Sequence, residues 1–169
     1  MAYSINEINQ MSQAEFVSAF GAVYEETPAI ARQIWSKRPF ADGSALQQQM
    51  ATHVNRLPLK QQLALIRAHP DLGSQAKMAP ASVQEQSGLG LNRLSVREYE
   101  RFQALNRAYK DKFGFPFIAS VKNHTKDSIL HAFEQRLSHS PEEETLKALA
   151  EINQIAAFRL AALVKSPTP

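Results

Sequence analysis

Residues 95–114 read "SVREYERFQALNRAYKDKFG", and this stretch decides the class of fold. Ser95 and Glu98 have the spacing of a capping box, in which the serine hydroxyl accepts from the backbone N–H at Glu98 and the glutamate reaches back to the cap. Phe102, Leu105 and Tyr109 follow at steps of three and four, the period of one helical face. Gly114 suits the left-handed residue just past a helix C-terminus. Start, stripe and stop agree, so the spacing predicts one helix over 96–113.

The same punctuation recurs outward along the chain. "SQAE" at 12–15 is a capping box, "TP" at 27–28 places a cap residue before a first-turn proline, and "SPEE" at 140–143 combines both devices. Leu59, Leu63 and Ile66 form a second stripe, and Ile129, Phe133 and Leu137 a third. No run alternates with the period of a strand. "FPFIASV" at 115–121 is apolar but short and opened by Pro116, so it reads as an extended or one-turn segment lodged in the core. The expectation is an all-α chain, a single-domain bundle over 1–169 of about eight helices, near 13–22, 28–36, 44–56, 59–68, 82–87, 96–113, 126–137 and 141–164. "SGLGLNRLS" at 87–95 is the longest non-helical connection and a candidate substrate-facing loop.

Composition narrows the chemistry. The 169 residues suit one domain, and 44% are apolar, as in ordinary globular proteins. With no cysteine, disulfides, thiolate metal sites and cysteine nucleophiles are excluded. The N-terminus lacks a basic region followed by an apolar run, no stretch approaches a membrane span, and "VKSPTP" carries no sorting tripeptide, so a soluble cytoplasmic protein is expected. A formal charge of +3 and a pI near 9.3 fit a small anionic substrate as well as they fit nucleic acid. The five histidines show no metal-ligand spacing, and neither a phosphate loop, a dinucleotide fingerprint nor a nucleophile elbow occurs. What is left is side-chain acid–base and electrostatic chemistry, with no metal and no cofactor expected.

The informative residues are the polar ones that interrupt apolar stripes. Arg159 lies between Ile155 and Leu163 on one face of the last helix. A guanidinium cannot shed its proton, so it must meet a carboxylate, a group of carbonyls or an anionic ligand; a structural ion pair and a ligand anchor both stand open. His69, in "RAHPDLGSQ" at 67–75, follows Leu65 and Ile66 and precedes Pro70, which ends its helix. It is either a core histidine bonded to a carbonyl, or a general acid and carboxylate-binding group at a helix end whose dipole favours the protonated ring. Glu85, three residues after Ser82, is either the far side of a capping box or a site carboxylate beside Gln86. After Pro116 the backbone is apolar yet not helical, and its N–H and C=O groups need partners that a polar ligand could supply.

Taken together, "HPDLG" at 69–73, "SVQEQSGLG" at 82–90, "NRAYKDKFGFPFI" at 106–118, "ILHAFEQRL" at 129–137 and "EINQIAAFRL" at 151–160 resemble the 2-oxo-4-hydroxy-4-carboxy-5-ureidoimidazoline (OHCU) decarboxylase family, in the family's order from about residue 5 to 164. The resemblance implies a cofactor-free all-α enzyme, commonly a homodimer, that acts late in urate breakdown. Such an enzyme removes the C4 carboxylate of the ureidoimidazoline and delivers a proton to one face of the ring to give (S)-allantoin. By matching motifs, His69, Glu85 and Arg159 become the catalytic set. Pro70, the Ser82, Val83, Gln84, Glu85 and Gln86 stretch, the Phe117, Ile118, Ala119, Ser120 and Val121 segment, and Arg159 become the substrate-binding set. Many relatives carry a second basic residue where this chain has Ala157, leaving Arg159 as the sole cation of that stretch. The competing readings are a helical module that binds nucleic acid or protein, and an enzyme on another small cyclic ureide. A missing basic stripe with exposed aromatics argues against nucleic acid, and no membrane partner is expected.

Overall fold

A computed structural model describes residues 1–74 and 78–166. Among the described residues it has nine α-helices: α1 Ile5–Gln10, α2 Gln13–Phe20, α3 Pro28–Trp35, α4 Gly43–Asn55, α5 Leu59–Arg67, α6 Pro80–Gly88, α7 Val96–Phe113, α8 Lys126–Arg136 and α9 Pro141–Leu163. A single 3-10 turn, Val121–Asn123, follows the extended 115–120 segment. The all-α expectation holds, and the described residues form no strand, only an isolated bridge between Tyr3 and Val164.

The caps explain most boundaries. Ser12 accepts from the Glu15 N–H while Glu15 accepts from the Ser12 N–H, and Ser95 with Glu98 repeats the arrangement. Gly114 ends α7 at φ 75°, its N–H donating to the Lys110 carbonyl over 2.8 Å. Three details differ from expectation. Helix α1 was not anticipated, although Ser4 and Glu7 form a full capping box. Thr27 stands at the cap of α3, but its hydroxyl donates to the Glu25 carbonyl at 2.7 Å instead of capping. Helix α6 starts at Pro80 with Ala79 as cap, which puts Ser82 inside the helix and removes the Ser82–Glu85 capping box. Proline tolerates the first helical position, so it wins the start from the serine two residues on.

The chain forms two compact units, one of Met1–Leu65 with the chain from Asn153 onward, the other of Ile66–Ile152. In the first, α2 packs on α3 and α3 on α4 around buried Ile8, Phe16, Phe20, Ile34, Leu46, Met50 and Val54. Phe16 meets Phe20 at a ring separation of 4.9 Å and Phe40 at 6.2 Å. Leu59, placed on an apolar stripe by its spacing, is instead exposed, and the buried residues of α5 are Leu65 and Ile66. A helix whose first turn juts from the core need not keep its apolar face covered there.

In the second unit α7 packs on α8. The core is aromatic: Phe117 stacks on Phe133 at 3.7 Å, Tyr109 meets Phe117 edge-on at 5.3 Å, and Phe102 meets Phe133 edge-on at 6.2 Å. Each such pair adds about 0.5–1.5 kcal/mol beyond the area it buries. Within this core lies a fully buried carboxylate, Glu144 at the start of α9. The Arg136 guanidinium of α8 grips it, Nη2 at 2.8 Å and Nε at 3.0 Å, while the Tyr109 hydroxyl of α7 donates to the same carboxylate and His139 Nδ1 lies 2.9 Å from its other oxygen. Arg136 Nη1 then donates to the Ile118 carbonyl at 2.6 Å, and its guanidinium carbon sits 4.2 Å over the Phe117 ring. Burial pushes the Glu144 carboxyl up, but the bonds from Arg136 and Tyr109 and the guanidinium charge outweigh it, holding the group below the usual carboxylate range. Burial, with the bond to Glu144, pushes the Tyr109 phenol upward, so it stays a donor.

Arg136→Ala strands this carboxylate without a counter-charge and should cost about 3–5 kcal/mol, read as a drop in the urea midpoint. Because the folded carboxyl is depressed, its contribution is complete above the ordinary carboxylate pKa and is lost as pH falls through the folded value. Stability of the wild type measured against pH should therefore fall on acidification below about pH 4, with a shallower slope in Glu144→Gln.

Candidate active site

The elements that carry the sequence-derived site residues of the second unit meet around the exit of α5. Leu65 and Ile66 anchor the last turn of that helix, and the His69 N–H still donates to the Ile66 carbonyl at 3.2 Å. Pro70 disfavours helical backbone at His69, so the chain leaves α5 there. The His69 side chain is buried, 8% exposed, and forms part of the wall of a cavity of about 400 Å³. Pro70 and Asp71 continue that wall, and Lys110, Gly114, Phe115 and Pro116 complete it with Arg67. Arg67 Nε donates to the Gly114 carbonyl at 3.1 Å, tying the end of α5 to the C-cap of α7. Lys110 Nζ pairs with Asp71 at 2.8 Å, and both remain partly exposed. The cavity thus carries two permanent cations, one carboxylate and an imidazole, and its net field favours an anion.

The loop after His69 is held from two helices. Gln86 of α6 accepts from the Gly73 N–H at 3.0 Å, and its amide nitrogen lies 3.4 Å from the Asp71 carbonyl. Asn106 of α7 donates to the Leu72 carbonyl at 2.9 Å. Gly73 has φ 68°, so its backbone asks for glycine, and a Cβ there would also press on the tip of Leu94, 2.9 Å away.

On α6 the buried face is Ser82 and Gln86, one turn apart; Val83 and Gln84 face out, and Glu85 is half-buried. Helix α6 packs against the 3-10 turn that follows Ser120, so the Ser82–Gln86 stretch, the His69 loop and the end of the 117–121 segment are brought together. Phe117, Ile118, Ala119, Ser120 and Val121 are all buried. Two of their backbone groups are met by protein: Arg136 serves the Ile118 carbonyl and Glu151 accepts from the Ser120 N–H at 3.0 Å. The partners expected from a ligand are, at these two groups, charged side chains.

Arg159 belongs to the first unit. Its Nη1 is 3.0 Å from Glu25 Oε2, with carbonyls of Val23 and Ala22 at 3.4 and 3.5 Å. Both side chains of the pair are buried. The structural ion pair that the sequence left open is therefore formed. Sequence reasoning passed over Arg67, Lys110 and Asn106. Asn106 was detectable: it lies four residues after Phe102 and three before Tyr109, an amide in the middle of an apolar stripe. Among the described residues no group of three or more His, Cys, Asp or Glu is placed to hold a metal ion.

The sequence profile of the OHCU decarboxylase family matches residues 9–161. The 2-oxo-4-hydroxy-4-carboxy-5-ureidoimidazoline decarboxylase of Halalkalicoccus jeotgali is 46% identical over 157 residues, covering 93% of this chain and 89% of that protein. The crystal structure of an (S)-allantoin synthase superimposes with a TM-score of 0.75 at 31% identity, over 96% of this chain; the chain spans 54% of that structure's length. An OHCU decarboxylase crystallised in the presence of (S)-allantoin shares the fold, with a TM-score of 0.69 at 24% identity, over 90% of this chain and 97% of that one. With the profile spanning nearly the whole helical chain, and the motif-bearing His69 loop, α6 and 115–121 segment gathered in one unit, the chain belongs to the OHCU decarboxylase family.

Proposed function

We propose that this protein is a carboxy-lyase that converts OHCU to (S)-allantoin in urate degradation, working without a cofactor, in the cytoplasm and as a homodimer. Family membership supports the reaction. The observation that carries the site is a buried histidine on the wall of a cavity that also holds Arg67 and Lys110. A substrate bearing a carboxylate finds charge complementarity there.

The chemistry asks little of the protein beyond placement. The bond from C4 to the carboxylate breaks, CO2 leaves, and the electron pair delocalises into the adjacent C=N and carbonyl system. No external electron sink is needed. The enzyme holds the breaking C4–carboxylate bond across the plane of the C=N system, stabilises the developing anion and delivers a proton to one face of the ureido-bearing carbon while the C4 hydroxyl becomes the product's carbonyl. In this reading His69 contacts the C4 hydroxyl and carboxylate and moves the proton, and Pro70 fixes the course of the chain beside it. Arg67 and Lys110 draw the anion in. Glu85 grips the hydroxyl or ureido N–H groups from α6. Ser82, Val83, Gln84 and Gln86 belong to the same binding stretch, Ser82 and Gln86 from its buried face. Phe117, Ile118, Ala119, Ser120 and Val121, held by Arg136 and Glu151, supply a fixed edge for the planar ureide. The assignment of Arg159 to the substrate rests on the family resemblance, since its observed partner is Glu25.

Polarimetry on freshly generated OHCU tests the reaction: (S)-allantoin should form faster than the uncatalysed racemate, and an optically silent product would reject it. His69→Asn should keep a near-wild-type thermal midpoint and lose about 10²–10⁴-fold in rate, the range of general acid–base catalysis; a variant that unfolds readily yet keeps its rate would make the histidine structural. Arg159→Lys keeps a charge for Glu25 but not the planar fork. If Arg159 binds substrate, KM should rise about tenfold, one charged hydrogen bond's worth, whereas an unchanged KM removes it from the site.

A further inference from the structure

Asn106 sits where α7 should be apolar. It is 2% exposed, in the stripe between Phe102 and Tyr109. Its amide nitrogen donates to the Leu72 carbonyl at 2.9 Å, while its Oδ1 has no partner among the described residues. The Leu72 carbonyl fixes the amide's orientation, because the flipped form would set oxygen against oxygen. Burying a half-satisfied amide is unfavourable, and a leucine would fill the position at lower cost. What the amide does is hold one carbonyl of the loop that leaves His69. Gln86, also buried, holds the neighbouring Gly73 N–H at 3.0 Å and reaches toward the Asp71 carbonyl. Backbone groups of Asp71, Leu72 and Gly73 are thus gripped in succession by amides from two helices, directly after the His69–Pro70 pair.

We propose that Asn106 is a positioning residue for the decarboxylation: with Gln86 it clamps the Asp71–Gly73 backbone, and through it fixes where the His69 ring stands against the substrate. This rests on the reading of His69 as the catalytic histidine. Proline cannot donate a backbone hydrogen bond and the cavity side of the loop is open to ligand, so the grip falls on the three residues that follow. Loss of one hold would let the histidine drift by about an ångström, which acts on the rate more than on affinity.

The test is steady-state kinetics on OHCU with Asn106→Ala, Asn106→Asp, His69→Asn and the His69→Asn/Asn106→Ala double variant. Asn106→Ala should lower kcat by about 10²-fold, the penalty of an ångström-scale misplacement, with KM within about twofold. In the His69→Asn background the same change should have no further effect, since it acts through the missing ring. Asn106→Asp, matched in shape, covers the case in which the alanine variant does not fold. Its protonated carboxyl can donate to Leu72 and its ionised form repels it, and burial favours the neutral acid. Its kcat should fall with rising pH along a limb absent from the wild type. A wild-type kcat in Asn106→Ala, or a pH profile of Asn106→Asp superimposable on the wild type, while His69→Asn is inactive, overturns the clamp alone. Full activity in His69→Asn overturns the clamp together with the reading on which it rests.

Discussion

A carboxylate with no access to water constrains everything around it. Glu144 is fully buried at the start of α9, and each of its oxygens must be answered by protein. Arg136 comes from α8, Tyr109 from α7 and His139 from the turn between α8 and α9, so one charge ties three helices together. The guanidinium has donors to spare and sends one to the Ile118 carbonyl. That is how an all-α unit can carry a buried, non-helical segment: Arg136 and Glu151 meet backbone groups that would otherwise be left unpaired, each at the cost of a lost hydrogen bond. The segment in turn begins with Phe115 and Pro116, which wall the cavity. The ion pair thus holds the segment whose first residues line the cavity.

The proposed reaction needs little apparatus. A decarboxylation whose electrons settle into the substrate's own conjugated ring asks for orientation, an electrostatic welcome for an anion and one proton. In the proposed site those demands would fall to a buried imidazole just beyond α5, with Arg67 and Lys110 on the same cavity wall. Rigidity then becomes the scarce quantity. It is supplied by the Pro70 constraint and by the amides of Gln86 and Asn106, which hold the loop that turns through Gly73 at a positive φ.

The helices were legible because their signals are local. Capping boxes at Ser12 and Ser95, a proline opening α3 and a left-handed glycine closing α7 act within one turn of chain, so spacing alone reveals them. Where the reading missed, two local signals competed or the tertiary environment overrode one. Pro80 displaced Ser82 as the start of α6, and Leu59 kept its period but lost its cover. At the site, His69 stood out because an ionisable ring before a helix-breaking proline is a local anomaly. Arg67 and Lys110 did not, since a lysine or arginine on an exposed face looks alike whether or not a cavity opens beside it.

What the amino-acid sequence determined alone is every described helix but α1, the break before Pro70 and the family, all of them encoded in contiguous motifs whose physics is that of the backbone and its nearest neighbours. Only the tertiary structure decided what the polar residues on apolar faces do. Arg159 found Glu25 134 residues away, Asn106 found Leu72 34 away, and Arg136 found Ile118 18 away and Glu144 across the α8–α9 turn. A buried charge or amide announces that it needs a partner, but desolvation is indifferent to which one, and the choice is made only when packing brings a particular oxygen within reach.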